Sequence, residues 1–315
     1  MSELIVQPLS LADRRLVMNL MTEEERAWRQ ELDWDFAPIR RILFSFLEQR
    51  LLPGFVGMSG LDALGYAYFL ISRTKSVIGT LYASSPKAQI AAETILTQAI
   101  DSLKSNVRLQ RIESQIIPLN GIDLSATFLR NGFQTFRRHY MELDLTVHVP
   151  ADPRERPGFL APWHPGFLSA AAAVAYSSYR QEIDAVICDD YASQTSCEAY
   201  LRSLVDNPGC GIFQSGSSFV SLDGQGAPCG FILTSKISKS SAMIPQISIH
   251  PAHQGRGVGA ALIQCALRRL KSEGYKTVRL TVSHENRRAY EWYLRLGFKP
   301  RRDFNAYTWQ RDRLS

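Results

Sequence analysis

The sequence predicts an α/β chain folded as two domains in tandem. Three observations carry that expectation: a proline-rich break near the middle, a short repeat on either side of it, and strand and helix periodicities alternating in each half. Five of the fifteen prolines fall between Pro150 and Pro165. Proline fixes φ and has no amide hydrogen to donate, so this stretch suits neither a helix nor a central strand. We read it as a linker over 150–165, between one domain at 1–149 and another at 166–315. The repeat is Leu129-Arg130-Asn131-Gly132-Phe133 against Leu294-Arg295-Leu296-Gly297-Phe298. Each copy follows a helix-length segment opened by an asparagine, Asn120 or Asn286, and precedes an aromatic-rich extended stretch at 134–145 or 299–309. The matching order of elements points to duplication.

In the second half, stretches at 218–222 and 231–237 flank a Gly-Gln-Gly-Ala-Pro turn and predict a hairpin. A strand follows at 241–250, with Ile247 and Ile249 on one face and Gln246, Ser248 and His250 on the other. Val258, Leu262, Ala266 and Leu270 recur at helical spacing. Arg268, Arg269 and Lys271 suit the negative end of that helix dipole, and Gly274 can end it. Val278, Leu280 and Val282 alternate as a strand, and 286–296 forms a helix stopped by Gly297. In the first half, strands are expected at 65–73, 76–83 and 109–117, and helices at 11–21, 36–50 and 88–103.

Composition narrows the class. Of 315 residues, 45% are hydrophobic and 21% charged, the balance of a soluble globular protein. No apolar run reaches the ~20 residues that span a bilayer. Met1-Ser2-Glu3-Leu4 lacks the basic-then-apolar start of a signal peptide, so a cytoplasmic chain away from membranes is expected. Cys188, Cys197, Cys210, Cys229 and Cys265 show no Cys-x-x-Cys pair and no zinc spacing; free thiols and no metal follow. The net charge is +6, and small basic clusters at Arg268-Arg269, Arg287-Arg288 and Arg301-Arg302 lie in the second half. A polyphosphate ligand accounts for them as well as nucleic acid does, and no nucleic-acid partner is expected.

Chemistry enters at Ile247-Ser248-Ile249-His250-Pro251-Ala252-His253-Gln254-Gly255-Arg256-Gly257-Val258-Gly259-Ala260. A strand ends, three glycines alternate through a loop, and an amphipathic helix begins. Glycines let backbone amides approach a ligand, and the first helical turn offers unpaired N–H groups at the positive end of its dipole. Such a turn can hold a pyrophosphate. The loop lacks the lysine and hydroxyl residue of a triphosphatase loop.

Gln254-x-x-Gly257-x-Gly259 resembles the Gln/Arg-x-x-Gly-x-Gly/Ala motif of the GNAT superfamily of N-acetyltransferases. Asn286-Arg-Arg-Ala289-Tyr-Glu-Trp-Tyr293-Leu-Arg-Leu-Gly297-Phe298 is similar to that family's second signature, at the expected distance. The resemblance covers about 165–312, and the repeat extends it to a tandem-GNAT layout similar to that of mycothiol synthase. It implies domains made of a mixed, mostly antiparallel sheet flanked by helices, and acetyl-CoA as co-substrate. Ile247, Ser248 and Ile249 would pair with the pantetheine arm as an added strand. The Ile249 amide would support the oxyanion. Gln254, Gly255, Arg256, Gly257, Val258, Gly259 and Ala260 would wrap the pyrophosphate. Asn286 would contact pantetheine or hold its neighbouring strand. Tyr293 would protonate the departing thiolate.

Two features depart from the family. Many relatives carry a glutamate on the strand before the glycine loop, whereas 243–249 has no carboxylate; Gln246 could orient a water but cannot accept a proton at neutral pH, and His250, His284, Glu285 and solvent remain open as alternatives for the base. The first half has Ala83-Ser-Ser-Pro86-Lys-Ala-Gln in place of the glycine loop and Phe128 in place of Tyr293, which implies a degenerate domain. Four carboxylates and two tyrosines over 179–191 suggest an acidic acceptor pocket. The expected activity is acetyl transfer to a primary amine of a small molecule or peptide, with a homodimer possible. The alternative is a module that binds acyl-CoA and signals without turnover.

Overall fold

The computed structural model describes residues 3–147 and 159–311. In chain order the first half gives β1 (Leu4–Pro8), α1 (Arg14–Leu32), α2 (Ala37–Glu48), β2 (Gly54–Ser59) and β3 (Asp62–Ser72). Then come β4 (Lys75–Ala83), α3 (Gln89–Ser105), β5 (Arg111–Ser114), α4 (Ser125–Arg130) and β6 (Gln134–Asp144). The second half opens with β7 (Phe159–Pro162), α5 (Leu168–Tyr179), α6 (Ile183–Ile187), α7 (Gln194–Asp206) and β8 (Ile212–Phe213). It continues with β9 (Phe219–Leu222), β10 (Pro228–Lys236), β11 (Ser241–Ile249), α8 (Val258–Ser272), β12 (Thr277–Ser283), α9 (Arg287–Arg295) and β13 (Lys299–Gln310).

Packing divides the chain into two compact units, Met1–Arg137 with Phe304–Ser315, and Arg138–Asp303. This differs from the boundaries expected at 149 and 166. β6 leaves the first unit at Arg137 and pairs antiparallel with β12 from Arg138↔Ser283 to Asp144↔Thr277. In return, Tyr307–Gln310 of β13 pairs with β5 of the first unit. Alternation along a strand reveals its two faces but not its partner, which is why both stretches read as extended without showing where they go. Of the linker expected at 150–165, residues 150–158 lie outside the described residues. Residues 159–162 form β7, which pairs with β9 at the margin of the described sheet, where prolines are tolerated.

In the first unit β1 to β5 run in sequence order, antiparallel except for the parallel pair β4–β5. α3 packs Ile95, Leu96, Ala99 and Ile100 onto the sheet, all buried. The second unit repeats the plan: β9, β10 and β11 are antiparallel, and β11 meets β12 in parallel. One face carries α8 and α9 over Ile247, Leu280 and Val282. The other carries α5 and α7 over Phe231 and Leu233. Helix ends follow local chemistry. Gly257 (φ 82°) turns the chain into α8, Asn286 caps α9 by accepting from the Ala289 amide at 3.2 Å, and Ser193 with Ser196 forms a capping box on α7.

Candidate active site

β11 and β12 pair only through Ser241–Met243 and Thr277–Arg279. Beyond Met243 they part. The cause is on β11: Leu233 faces Gln246 while Ser235 faces Met243, so Thr234 is opposed by both Ile244 and Pro245. That extra residue is a bulge, and Pro245, with no N–H, supplies no ladder bond where it occurs. Past the bulge the His250 amide donates to Cys229 of β10, so alternation turns the backbone of Ile247 and Ile249 away from β10, toward the opened edge. Ser248 faces Phe231 across the ladder, and its backbone is turned to β10.

The carbonyls on the opened edge are already engaged. Tyr179 donates to the Ile247 oxygen at 2.9 Å and Ser178 to the Ile249 oxygen at 2.8 Å. Gln254 also donates to Ile249 at 3.2 Å and accepts from Arg288 at 2.9 Å, which ties the glycine loop to the end of β11 and to α9. The loop reaches α8 through Gly255 and Gly257, both at positive φ that other residues adopt only with strain. Within α8 the first intrahelical bond runs from Ala261 to Gly257, so the amides of Val258, Gly259 and Ala260 have no carbonyl partner in the helix. Gly257 has no side chain to cap them. Gly259 is needed for closeness: a Cβ there lies 3.2 Å from Ile249 Cδ1 and 3.4 Å from the Trp292 ring. Three unpaired amides at the positive end of a fifteen-residue helix make an anion site.

Tyr293, on α9, is buried in the cluster that includes Ile247 and Val258, with Ile249 packed against it. Burial, and behind it the charge of Asp184, push its phenol well above the ordinary range, so it stays protonated at neutral pH. Asp184 on α6 accepts from Ser283 at 2.8 Å and from Asn286 at 3.4 Å. Asn286 therefore joins the turn after β12 to α6 as well as capping α9. On the other face, Tyr191 donates to Gln246 at 2.8 Å, Gln246 donates to Ser248 at 2.9 Å, and Tyr179 stacks on Tyr191 with centroids 4.5 Å apart. The stretch 179–191 thus brings an aromatic wall beside the cleft. Two of its carboxylates are engaged: Asp184 is held by Ser283 and Asn286, and Asp190 accepts from the Cys188 thiol at 3.1 Å. His250 accepts from the Ala252 amide at the turn.

Sequence reasoning brought Ile247, Ile249, Gln254, the glycine turn, Asn286 and Tyr293 to one end of the sheet, and the fold does the same. It passed over Ser178 and left Tyr179 and Asp184 within the acidic stretch; their alignment with the cleft depends on how α5 and α6 pack, which has no local signal.

With this geometry in hand, residues 182–298 match the family model described as "Acetyltransferase (GNAT) family". That segment is similar to a GNAT acetyltransferase domain. Over 80 residues it is 41% identical to an uncharacterized N-acetyltransferase of Methanocaldococcus jannaschii, a match covering 24% of this chain and 35% of that one. Over 86 residues it is 34% identical to the mycothiol acetyltransferase of Actinosynnema mirum, covering 27% and 29%. The match therefore spans about a third of the length of either relative. Two solved structures share the fold across nearly the whole chain. A tandem GNAT protein from the clavulanic acid biosynthesis pathway gives a TM-score of 0.62 at 17% identity, covering 98% of each chain. A GCN5-related N-acetyltransferase from Sphaerobacter thermophilus gives 0.70 at 15%, covering 98% and 95%. Both halves thus share the fold of these structures.

Proposed function

We propose that the GNAT domain transfers the acetyl group of acetyl-CoA to a primary amine of a small molecule or peptide by direct attack. The observation that carries this reading is the cleft opened by the Pro245 bulge, with unpaired amides of α8 at one end and a protonated, buried Tyr293 within it. The pyrophosphate would sit on the amides of Val258, Gly259 and Ala260, with Gln254, Gly255, Arg256 and Gly257 around it. Pantetheine would lie along the opened edge of β11. Because hydroxyls occupy the carbonyls of Ile247 and Ile249, their amides supply the contacts there, and Ser248 contributes through its side chain. The Ile249 amide would then steady the oxyanion of the tetrahedral intermediate. As the C–S bond breaks, the sulfur takes the Tyr293 proton, and the amine gives its own to the phenolate or to solvent. Asn286 holds α6 and α9 against the cleft.

The first unit, with no glycine turn and Phe128 in place of the tyrosine, is the degenerate partner and binds no coenzyme. The competing reading is an acyl-CoA sensor without turnover, which the absence of a carboxylate on β11 favours. Thiol release from acetyl-CoA with an amine panel separates the two, since a sensor binds the coenzyme and releases no thiol.

A further inference from the structure

The proton that leaves the amine has no carboxylate to go to on β11. A different chain of groups runs to the end of β12, the strand that bounds that cleft. His284 is the first residue after β12, next to Ser283, whose hydroxyl is held by Asp184, and two before Asn286. Its Nδ1 lies 3.0 Å from Nε2 of His139, and Nδ1 of His139 lies 2.6 Å from an Asp303 carboxylate oxygen. His139 is almost wholly buried, with the Tyr290 ring of α9 over it at 4.5 Å, while the Asp303 side chain is 41% exposed. The three residues come from β12's end, β6 and β13, and all belong to the second unit.

With both imidazoles neutral, the network sets the tautomers. An ionised Asp303 accepts only, so His139 donates from Nδ1 and keeps its lone pair on Nε2. That lone pair accepts from His284, which must then carry its hydrogen on Nδ1. Nε2 of His284 is left with a lone pair and no proton. Charged groups nearby include Arg302, next to Asp303 on β13, Arg138 on β6, whose side chain lies toward Asp184 on the opposite face of the sheet, and Glu285 and Arg287 in the turn into α9.

We propose that His284 is the general base of the second unit, taking the amine's proton at Nε2 directly or through one water, and that His139 and Asp303 are positioning residues that fix its tautomer and steady the imidazolium. The inference rests on the acetyl-transfer reading above. In balance, the ammonium gives one proton to His284, and the free amine forms the C–N bond at the thioester carbon. The C–S bond breaks with Tyr293 protonating sulfur, the nitrogen's second proton restores the Tyr293 phenol, and His284 returns its proton to water. His139 lies on β6, in the first half of the sequence, so the catalytic unit depends on a residue from outside its own half.

The test uses the full-length chain with ¹⁵N-labelled histidine and, separately, thiol release from acetyl-CoA with ethanolamine, spermidine, glucosamine and a lysyl tripeptide. At high pH the imidazole shifts of His284 are expected to report hydrogen on Nδ1; hydrogen on Nε2 overturns the proposal. His284→Gln is expected to lower kcat/KM by about 100-fold or more and to remove the acid limb of its pH profile, with acetyl-CoA affinity unchanged. Asp303→Asn, at an exposed position that does not threaten folding, is expected to move that limb to lower pH, because the carboxylate that favours the imidazolium is gone. A His284→Gln enzyme within threefold of the parent, with its acid limb intact, removes this assignment alone. A parent that binds acetyl-CoA and releases no thiol with any amine removes the acetyl-transfer reading as well.

Discussion

The two clefts of this molecule have the same framework and different contents. In the first unit, β3 and β4 shift register so that Tyr68 faces Thr80 and Phe69 faces Ile78, which makes Gly79 the extra residue. Pro245 occupies the matching place in the second unit. Parallel pairing lasts four residues for β4–β5 and three for β11–β12. What differs is the use of the opened edge. In the first unit Asn120 donates its side-chain amide to the Ala83 carbonyl at 2.8 Å, bonding across the end of its own cleft. In the second, Asn286 turns to Asp184, and hydroxyls from α5 cover the carbonyls instead. Phe128 stacks on Tyr307 at 3.8 Å where the second unit has Tyr293. The bulge and the sheet are properties of strands, whereas the display of free amides and a proton donor needs a few glycines and one hydroxyl. The first set can persist when the second is lost.

The largest expected effect breaks that display. Changing Gly257 and Gly259 together to valine strains the αL entry to α8 and drives a side chain into Ile249 and Trp292. Losing two hydrogen bonds to a charged group, each worth ~1.5–3 kcal/mol, weakens acetyl-CoA binding by about 100-fold or more in calorimetry. Ser85→Val in the first unit leaves it unchanged. Equal losses from both changes would mean that the first unit also holds coenzyme.

Next comes Tyr293→Phe, expected to lower kcat by about 100-fold while acetyl-CoA affinity stays the same. Phe128→Tyr is expected to add no activity. A Tyr293→Phe enzyme at full rate would transfer the role of acid to another group. A smaller effect concerns Asn120, whose backbone is left-handed (φ 54°), so Asn120→Gly keeps the turn and deletes the amide bond. It costs about 1 kcal/mol of stability in denaturant titrations. Coenzyme still binds once per chain; a second equivalent would show that Asn120 alone closes the first cleft.

The smallest effect lies in the first unit's interior. Glu24 is fully buried, accepting from Trp28, Thr80 and Tyr66. Burial raises its carboxyl above the usual range, its hydrogen bonds opposing that rise. The folded state therefore holds this proton at a pH where the unfolded chain has released it. Stability falls as pH rises from the ordinary carboxylate range through the raised folded value. Glu24→Gln is expected to flatten that part of the melting-temperature profile; an unchanged slope would assign the dependence elsewhere.

Much of this was legible in the sequence because its determinants are local. The stripe at Val258, Leu262, Ala266 and Leu270, the stop at Gly274 and the cap at Asn286 depend on neighbours within a turn or two, and α8 and α9 lie where those signals put them. So do the two repeated Gly-Phe pairs. Less legible were α1, which runs on to Leu32, and β2, where Gly54 and Gly57 interrupt the apolar pattern. The Asp303–His139 contact was beyond reach, since it joins residues 164 apart through strand pairing that no periodicity encodes. Function followed the same division. The glycine turn and the helix that carries Tyr293 each have a local signal; the His284–His139–Asp303 chain is assembled from three distant segments.

The exchange of β6 and β13 makes the two halves hostages of each other during synthesis. While the nascent chain emerges, β5 has no outer neighbour until residues near 310 have been translated, and a row of N–H and C=O groups waits uncovered until then. A gene cut in the proline-rich segment is therefore expected to yield fragments that aggregate alone and regain solubility when co-expressed.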